Sequence, residues 1–261
     1  MKIQFYKYQG TGNDFVILDN REGLYDSFTR EQVAFLCNRR FGIGADGLML
    51  LNTKEGYDFE MKYFNSDGGE SSMCGNGGRC MVKCAWHLGI RKGLYHFLAV
   101  DGEHEAEIDD DGTVSLKMKD VKSIKEYHGD FILDTGSPHY VKLVNNLSTL
   151  DVYHKGHDIR NSNAFAKEGI NVNFVEQNDD DEISVRTYER GVENETLSCG
   201  TGVTASALVC YHNEIGFNNV TVNTPGGGLT VEFDRFDDDT YNNIWLCGPA
   251  EKVFEGFISM A

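Results

Sequence analysis

The tetrapeptide pattern Cys-Gly-X-Gly occurs twice in this chain, as Cys74-Gly75-Asn76-Gly77 and as Cys199-Gly200-Thr201-Gly202, 125 positions apart in 261 residues. A Glu stands four residues before each cysteine, Glu70 and Glu195, and a stretch that reads as a helix follows each. Other anchors repeat in the same order. Tyr63 matches Tyr188, Thr11-Gly12 matches Thr135-Gly136, and Gly42-Ile43 matches Gly169-Ile170. Any one such pair could be two similar turns, but several in register at nearly constant spacing mark a duplication, and internal self-similarity constrains the fold before anything else does.

The chain length accommodates two halves of roughly 130 residues each. Short alternating runs such as Lys2–Lys7, Phe15–Leu18, Gly47–Leu51, Val114–Met118, Val141–Val144, Val172–Val175, Leu229–Phe233 and Ile244–Cys247 read as strands. Helices are fewer. Arg30–Cys37 has Thr29 as an N-cap, Gly78–Leu88 stops at Gly89, and Gly202–Asn213 stops near Gly216. The stretch Gly202–Cys210 is small and apolar nearly all round, the mark of a helix enclosed by other elements. The expected fold is therefore α+β, with two pseudo-symmetric domains, each a curved antiparallel sheet or barrel wrapped around a central helix. The expected halves are residues 1–122 with Cys74 and 123–261 with Cys199, and the last strand, about 250–261, is expected to pack back on the first half.

A formal charge of −17 argues against nucleic acid as a partner, since phosphate contacts depend on Lys and Arg. No apolar stretch approaches the roughly 20 residues that span a bilayer, and the first seven residues alternate like a strand rather than forming a signal-peptide core. Seven cysteines in no disulfide-framework spacing point to a reducing cytoplasm. The acidic runs at 109–111, 179–182 and 237–239 read as hairpin loops, without the ligand spacing of a calcium loop.

A cysteine just ahead of a helix faces N–H groups that have no intrahelical partner, and these, with the helix dipole, favour the thiolate. The glycines that follow let a carboxylate approach the same N–H groups. Two such helix starts, one from each half, would hold a carboxylate with a sulfur on either side of its α-carbon, an arrangement suited to moving a proton from one face to the other. The remaining cysteines read differently. Cys37, Cys210 and Cys247 are core thiols, and the Cys80, Cys84, His87 run has the spacing of a helix core face and lacks a fourth ligand, so no metal is expected.

At these residues the chain resembles the diaminopimelate epimerase family. The matching segments in the first half are Gly10-Thr11-Gly12-Asn13-Asp14-Phe15, Gly42-Ile43-Gly44-Ala45-Asp46, Tyr63-Phe64-Asn65-Ser66-Asp67-Gly68 and Met73-Cys74-Gly75-Asn76-Gly77-Gly78-Arg79-Cys80. In the second half they are Gly136-Ser137-Pro138-His139, Asn171-Val172-Asn173-Phe174, Tyr188-Glu189-Arg190-Gly191 and Glu195-Thr196-Leu197-Ser198-Cys199-Gly200-Thr201-Gly202.

The resemblance implies a cofactor-independent, two-base interconversion of LL- and meso-diaminopimelate, with Cys74 and Cys199 as the acid/base pair. It implies that backbone N–H groups of Gly75, Asn76, Gly200 and Thr201 hold the reacting carboxylate. Asn13, Asn65, Asn171 and Arg190 would hold the distal amino-acid end, Glu189 would lie near the substrate ammonium groups, and His139 would be a site histidine near the cysteines. A homodimer is implied in the same way. Read without the resemblance, Asn13 and Asn65 serve equally well as turn residues, and Glu189 and His139 as a solvated charge and a loop histidine.

Three positions depart from the family pattern. Gly47 stands where many members have Gln, Ser137 where Asn is usual, and the segment Val192-Glu193-Asn194-Glu195 carries one residue more than the usual Ala-Gly-Glu. The rival readings are a proline racemase or hydroxyproline epimerase of the same fold, a cysteine-free isomerase of the phenazine-biosynthesis type and, from another class, a thiol redox or metal-binding module.

Overall fold

Four strand–helix–strand crossovers organise the chain. The computed structural model describes residues 1–71, 73–210, 215–237 and 240–260. From the amino end the elements are β1 (Lys2–Gly10), β2 (Asn13–Asp19), α1 (Arg30–Cys37), β3 (Gly47–Asn52), β4 (Phe59–Asn65), β5 (Glu70–Ser71) and α2 (Gly75–His87). Then follow β6 (Leu94–Ala99), β7 (Gly102–Ile108), β8 (Val114–Lys117), β9 (Lys125–Tyr127), β10 (Asp130–Asp134), β11 (Pro138–Leu143) and α3 (Val152–Arg160). The rest are β12 (Asn171–Asp179), β13 (Glu182–Glu189), β14 (Asn194–Thr196), α4 (Gly200–Cys210), β15 (Gly216–Thr224), β16 (Gly227–Arg235), β17 (Tyr241–Gly248) and β18 (Glu251–Ser259). The chain divides into two units, Met1–Leu116 with Gly248–Ala261, and Lys117–Cys247. Among the described residues no helix is long and apolar enough to cross a membrane.

In the first unit, β1 pairs antiparallel with both β2 and β18, so the two ends of the chain share a ladder from Lys2 opposite Ser259 to Gln9 opposite Glu251. The sheet is mixed rather than purely antiparallel. β2 pairs parallel with β3 and β4 with β6, because α1 and α2 respectively lie on the connections between them. A parallel pair needs such a crossover. The second unit repeats the plan, with β11 parallel to β12 across α3 and β13 parallel to β15 across α4.

The helices begin where side chains can cap them. Thr29 accepts from the Gln32 N–H and the Gln32 side chain accepts in return from the Thr29 N–H, a complete capping box for α1. For α3 the cap is Asp151, whose carboxylate accepts from the His154 N–H at 3.1 Å. Helix α3 is short and polar, and its sequence gives little sign of it. It docks through Gly156, where any β-carbon would run into the Tyr188 ring.

Helix α4 is the buried helix expected from composition, with every residue but Thr201 and Val209 buried. It packs against β10, β11, β12, β13, β15 and β16 of its own unit. Its two buried hydroxyls are satisfied internally, Thr204 on the Gly200 carbonyl at 3.0 Å and Ser206 on the Gly202 carbonyl at 2.7 Å. The expected end of this helix near Asn213 lies outside the described residues, as does part of the 237–239 run.

The strand register revises one sequence match. In the ladders Met49 stands opposite Tyr63, and Asn173 stands opposite Thr187. Tyr63 therefore corresponds to Thr187, at a spacing of 124, and not to Tyr188. The discrepancy arises in the next turn. Five residues separate Phe64 from its partner Glu70, whereas six separate Tyr188 from Glu195. The additional residue moves the cysteines to 125 while the strands stay at 124. It is absorbed where Gly191 and Glu193 adopt left-handed backbone, at φ 91° and 55°.

Candidate active site

Each Cys-Gly-X-Gly segment is a helix start. The Cys74 carbonyl accepts the first α2 bond from the Gly78 N–H at 2.7 Å, and the Cys199 carbonyl accepts the corresponding α4 bond from Val203 at 2.8 Å. Both cysteines thus stand at the N-cap, one residue ahead of Gly75 and Gly200. Sequence alone starts these helices at Gly78 and Gly202; the glycines hid the first turn. With the cysteine outside the helix, the first N–H groups, those of Gly75, Asn76, Gly200 and Thr201, have no intrahelical acceptor available to them.

In the first unit, the half-buried Cys74 thiol lies 3.6 Å from Asn13 Oδ1. Asn13 is oriented by Asp46, whose carboxylate accepts from Asn13 Nδ2 at 2.6 Å. Asp46 in turn is held by Arg39 at 2.7 Å, and Arg39 also grips both carboxylate oxygens of Asp14, at 2.6 and 2.9 Å. Burial raises the Asp14 carboxyl, but hydrogen bonds from Arg39 and Lys7 overcome it and hold the group below the ordinary carboxylate range. Asn65 ends β4 opposite Gly47, and its backbone closes a turn with Gly68 and Gly69, which leaves the side chain exposed.

Asn76 turns its side chain inward. Its Oδ1 accepts from Thr11 Oγ1 at 3.2 Å and from Arg79 Nη2 at 2.9 Å, so only its backbone is presented at the helix start. Thr11 holds left-handed backbone at φ 48°, and Arg79 is fully buried. Neither was named as a site residue from sequence, although Thr11 is one anchor of the repeat. Their sign was the length of the matching segments, which extend to Thr11 and Arg79.

In the second unit a continuous network joins Arg190 to the start of α4. Asn171, 4 % exposed, donates to Ser137 Oγ at 3.0 Å and to the Pro138 carbonyl at 3.3 Å, while its Oδ1 accepts the Arg190 N–H at 2.9 Å. The Arg190 guanidinium reaches Ser137 Oγ at 3.3 Å and the Glu168 carbonyl at 3.1 Å. Ser137 is thus close enough to serve both Asn171 and Arg190. Thr135, two residues earlier, donates to the Thr201 carbonyl at 2.9 Å. Glu189 accepts from Thr196 Oγ1 at 3.0 Å, and the Cys199 thiol lies 3.5 Å from Thr201 Oγ1.

His139 is opposite Asn171 in the β11–β12 ladder and is fully buried. Its Cε1 would lie 3.4 Å from a β-carbon on Gly202, which places the ring against the first turn of α4. Burial, and then the Arg190 charge, push the imidazole down to about 3 despite a hydrogen bond from Asn173. The Cys80, Cys84 and Cys37 thiols are all pushed upward by burial, which suits inert core groups. Among the described residues no group of three or more His, Cys, Asp or Glu is placed to hold a metal.

The first unit therefore groups Cys74, Gly75, Asn76 and Asn13, and the second groups Cys199, Gly200, Thr201, His139, Asn171 and Arg190. A cysteine at a helix start with an amide-bearing network behind it is the shared plan.

Comparison with known proteins gives the family and the fold. The model of the family described as diaminopimelate epimerase matches residues 5–124 and 131–253. A diaminopimelate epimerase of Flavobacterium psychrophilum is 48% identical over 254 residues, covering 97% of this chain and 99% of that protein. One from Chlorobaculum tepidum is 44% identical, covering 96% and 99%. Among solved structures, a phenazine biosynthesis protein of the PhzF family from Bacillus anthracis shares the fold, with a TM-score of 0.76, 15% identity and full coverage of both chains. A probable proline racemase from Agrobacterium radiobacter does so at 0.66 and 15% identity, covering 99% of this chain and 93% of that one. Two cysteine-headed helices on a duplicated fold, and sequence identity of this extent along the whole chain, lead to one assignment: the chain belongs to the diaminopimelate epimerase family.

Proposed function

We propose that this protein interconverts LL- and meso-diaminopimelate without a cofactor, with Cys74 and Cys199 as the acid/base pair. The observation that carries the reading is the equivalence of the two helix starts, each with a cysteine at the N-cap and glycine next. The thiolate of one cysteine takes the α-proton, and the thiol of the other delivers a proton to the opposite face. The enzyme then ends with thiol and thiolate exchanged. Negative charge that develops on the substrate carboxylate is met by the N–H groups of Gly75, Asn76, Gly200 and Thr201. These are fixed before reaction, so little reorganisation accompanies the step.

The distal amino-acid end is assigned to Asn13, Asn65, Asn171 and Arg190, with Glu189 near the ammonium groups and His139 beside Cys199. The hydrogen bonds that fix Asn13, Asn171 and Arg190 support this, because a planar guanidinium held in place suits a carboxylate. The proline racemase reading shares the fold. The distal set and the identity to named diaminopimelate epimerases favour the longer substrate. We also place the protein in the cytoplasm as a homodimer. The cysteine spacing supports the first and the family resemblance the second, and light scattering in solution tests the dimer.

Proton exchange in heavy water tests the reaction. Wild type is expected to exchange the α-protons of LL- and meso-diaminopimelate and to epimerise them, while Cys74→Ala and Cys199→Ala each lose epimerisation. Wild type that leaves diaminopimelate untouched while racemising proline would overturn the substrate, and normal epimerisation by either variant would overturn the two-thiol mechanism.

A further inference from the structure

The two units place different chemistry beneath equivalent glycines. Gly77 in α2 and Gly202 in α4 correspond across the duplication. A β-carbon on Gly77 would meet Phe15, Met49 and Met61, whereas one on Gly202 would meet His139 and Asn173. The ladders confirm the match. Phe15 pairs with Gly47 and Met49 with Tyr63, as His139 pairs with Asn171 and Asn173 with Thr187. An apolar floor in one unit is therefore a polar one in the other. His139 and Asn173 are 0% exposed and Thr187 3%. Burying His139 and Asn173 where the equivalent places hold Phe15 and Met49 is costly unless their hydrogen bonds are used.

The bonds run in one direction. Thr187 Oγ1 donates to Asn173 Oδ1 at 2.9 Å. Asn173 Nδ2 donates to the Tyr140 carbonyl at 3.1 Å and meets His139 Nδ1 at 3.0 Å. The carbonyl can only accept, so the amide cannot be reversed without setting two oxygens against each other. His139 Nδ1 must then be the acceptor, which leaves the ring proton on Nε2. Among the described residues Nε2 is buried with no hydrogen-bond partner. A buried donor left in this state is available to a ligand or to a reacting group.

We propose that Asn173, itself held by Thr187, is a positioning residue that fixes His139 as a neutral Nε2–H donor on the Cys199 side of the reaction. The inference rests on the function proposed above. Its consequence is that His139 offers a hydrogen bond but does not act as a base, because Asn173 already occupies its lone pair. The two helix starts then have unlike floors, with an N–H donor beneath Gly202 and Phe15, Met49 and Met61 beneath Gly77. The groups that bear on the ionisation of His139 are Arg190, beyond the end of β13, whose charge lowers it, and Asn173, whose hydrogen bond raises it. A cation beside the ring and a dry setting both keep it neutral.

Imidazole 15N NMR tests the tautomer, with the His139 signals identified by their loss in His139→Gln. Wild type is expected to show one form, protonated on Nε2 only and unchanged down to about pH 5, well below the ordinary histidine pKa. Asn173→Asp places a carboxylate on Nδ1, and the ring is expected to become doubly protonated near neutral pH. Its kcat/KM should fall at least about tenfold and gain an ionisation absent from wild type, with KM changed less. Thr187→Val keeps the side-chain volume but removes the donor to Asn173 Oδ1, so the amide keeps its direction at the Tyr140 carbonyl and is held less firmly. It should keep the Nε2–H form with a smaller loss of kcat/KM and no new ionisation, so the proposal stays testable if Asn173→Asp fails to fold. A wild-type ring protonated on Nδ1, or one titrating near neutrality, would overturn the proposal. So would an altered tautomer in either variant with wild-type kcat/KM and pH profile. Wild type inactive on diaminopimelate would count against the proposed function, and the NMR spectrum would still decide the imidazole assignment.

Discussion

The Tyr63 hydroxyl lies 2.8 Å from the point where a β-carbon on Gly47 would stand, and the Phe64 carbonyl lies 2.7 Å from it. Tyr63 thus fills the space that a side chain at position 47 would need. The tyrosine ring in this place and a side chain at position 47 exclude one another.

Gly47→Ala is therefore expected to lower stability by about 1–3 kcal/mol, the usual range for overpacking a well-filled site. Urea unfolding of the two proteins checks it. Unfolding free energies within experimental error of each other would show that Tyr63 moves aside at no cost.

Ser137→Ala removes the hydroxyl that Asn171 and Arg190 share. Because the proposed function assigns the reacting carbon to the cysteine helices, the variant should raise KM for diaminopimelate roughly tenfold, the loss of about one hydrogen bond, and leave kcat within about twofold. Steady-state kinetics in both directions would expose the opposite pattern, a fall in kcat alone.

Two ion pairs occupy corresponding places and should differ in strength. Arg186 grips Glu195 through two bonds of 2.6 and 2.8 Å with both side chains about three-quarters covered, while Lys62 and Glu70 are 3.7 Å apart and more exposed. Glu195→Gln should cost about 1–3 kcal/mol and Glu70→Gln under about 1 kcal/mol. Equal midpoints for the two variants in urea would contradict this ranking.

Acid should act on stability in two stages. The folded His139 pKa of about 3 lies below the ordinary 6.5, so its contribution is complete above 6.5 and is lost as the pH falls toward 3. Asp14 is likewise depressed, so its contribution is present above the ordinary carboxylate range and lost below it. Melting temperature should therefore begin to fall below about pH 6.5 and fall further below about pH 4. Asp14→Asn should flatten the lower stage and leave the upper one intact.

Much of this was written in the residues that break or cap periodic runs. Thr29 announces α1, and the two Cys-Gly pairs announce α2 and α4, because caps and glycines act locally. Less legible were features decided by packing. Helix α3 depends on Gly156 meeting Tyr188, two elements apart in sequence, and nothing in its polar composition requires it. The parallel ladders follow from where the helices fall, which alternation within a strand does not encode. The match of Tyr63 to Tyr188 failed because side-chain identity outweighed register, and only the ladder shows the additional residue in the following turn. Asn173 escaped notice for a related reason. It stands two positions from Asn171 on the same strand, inside a buried run, where an amide looks like an isolated exception until its partners Thr187 and His139 are seen.

The ladder between β1 and β18 has a consequence for biosynthesis. Residues 117–247 are contiguous, so the second unit has all of its strands as soon as that stretch has left the ribosome. The first unit is synthesised earlier but lacks the partner of β1 until residues 251–259 emerge. The half of the protein made first is thus completed after the other, and during translation β1 presents an unsealed edge until residues 251–259 close it.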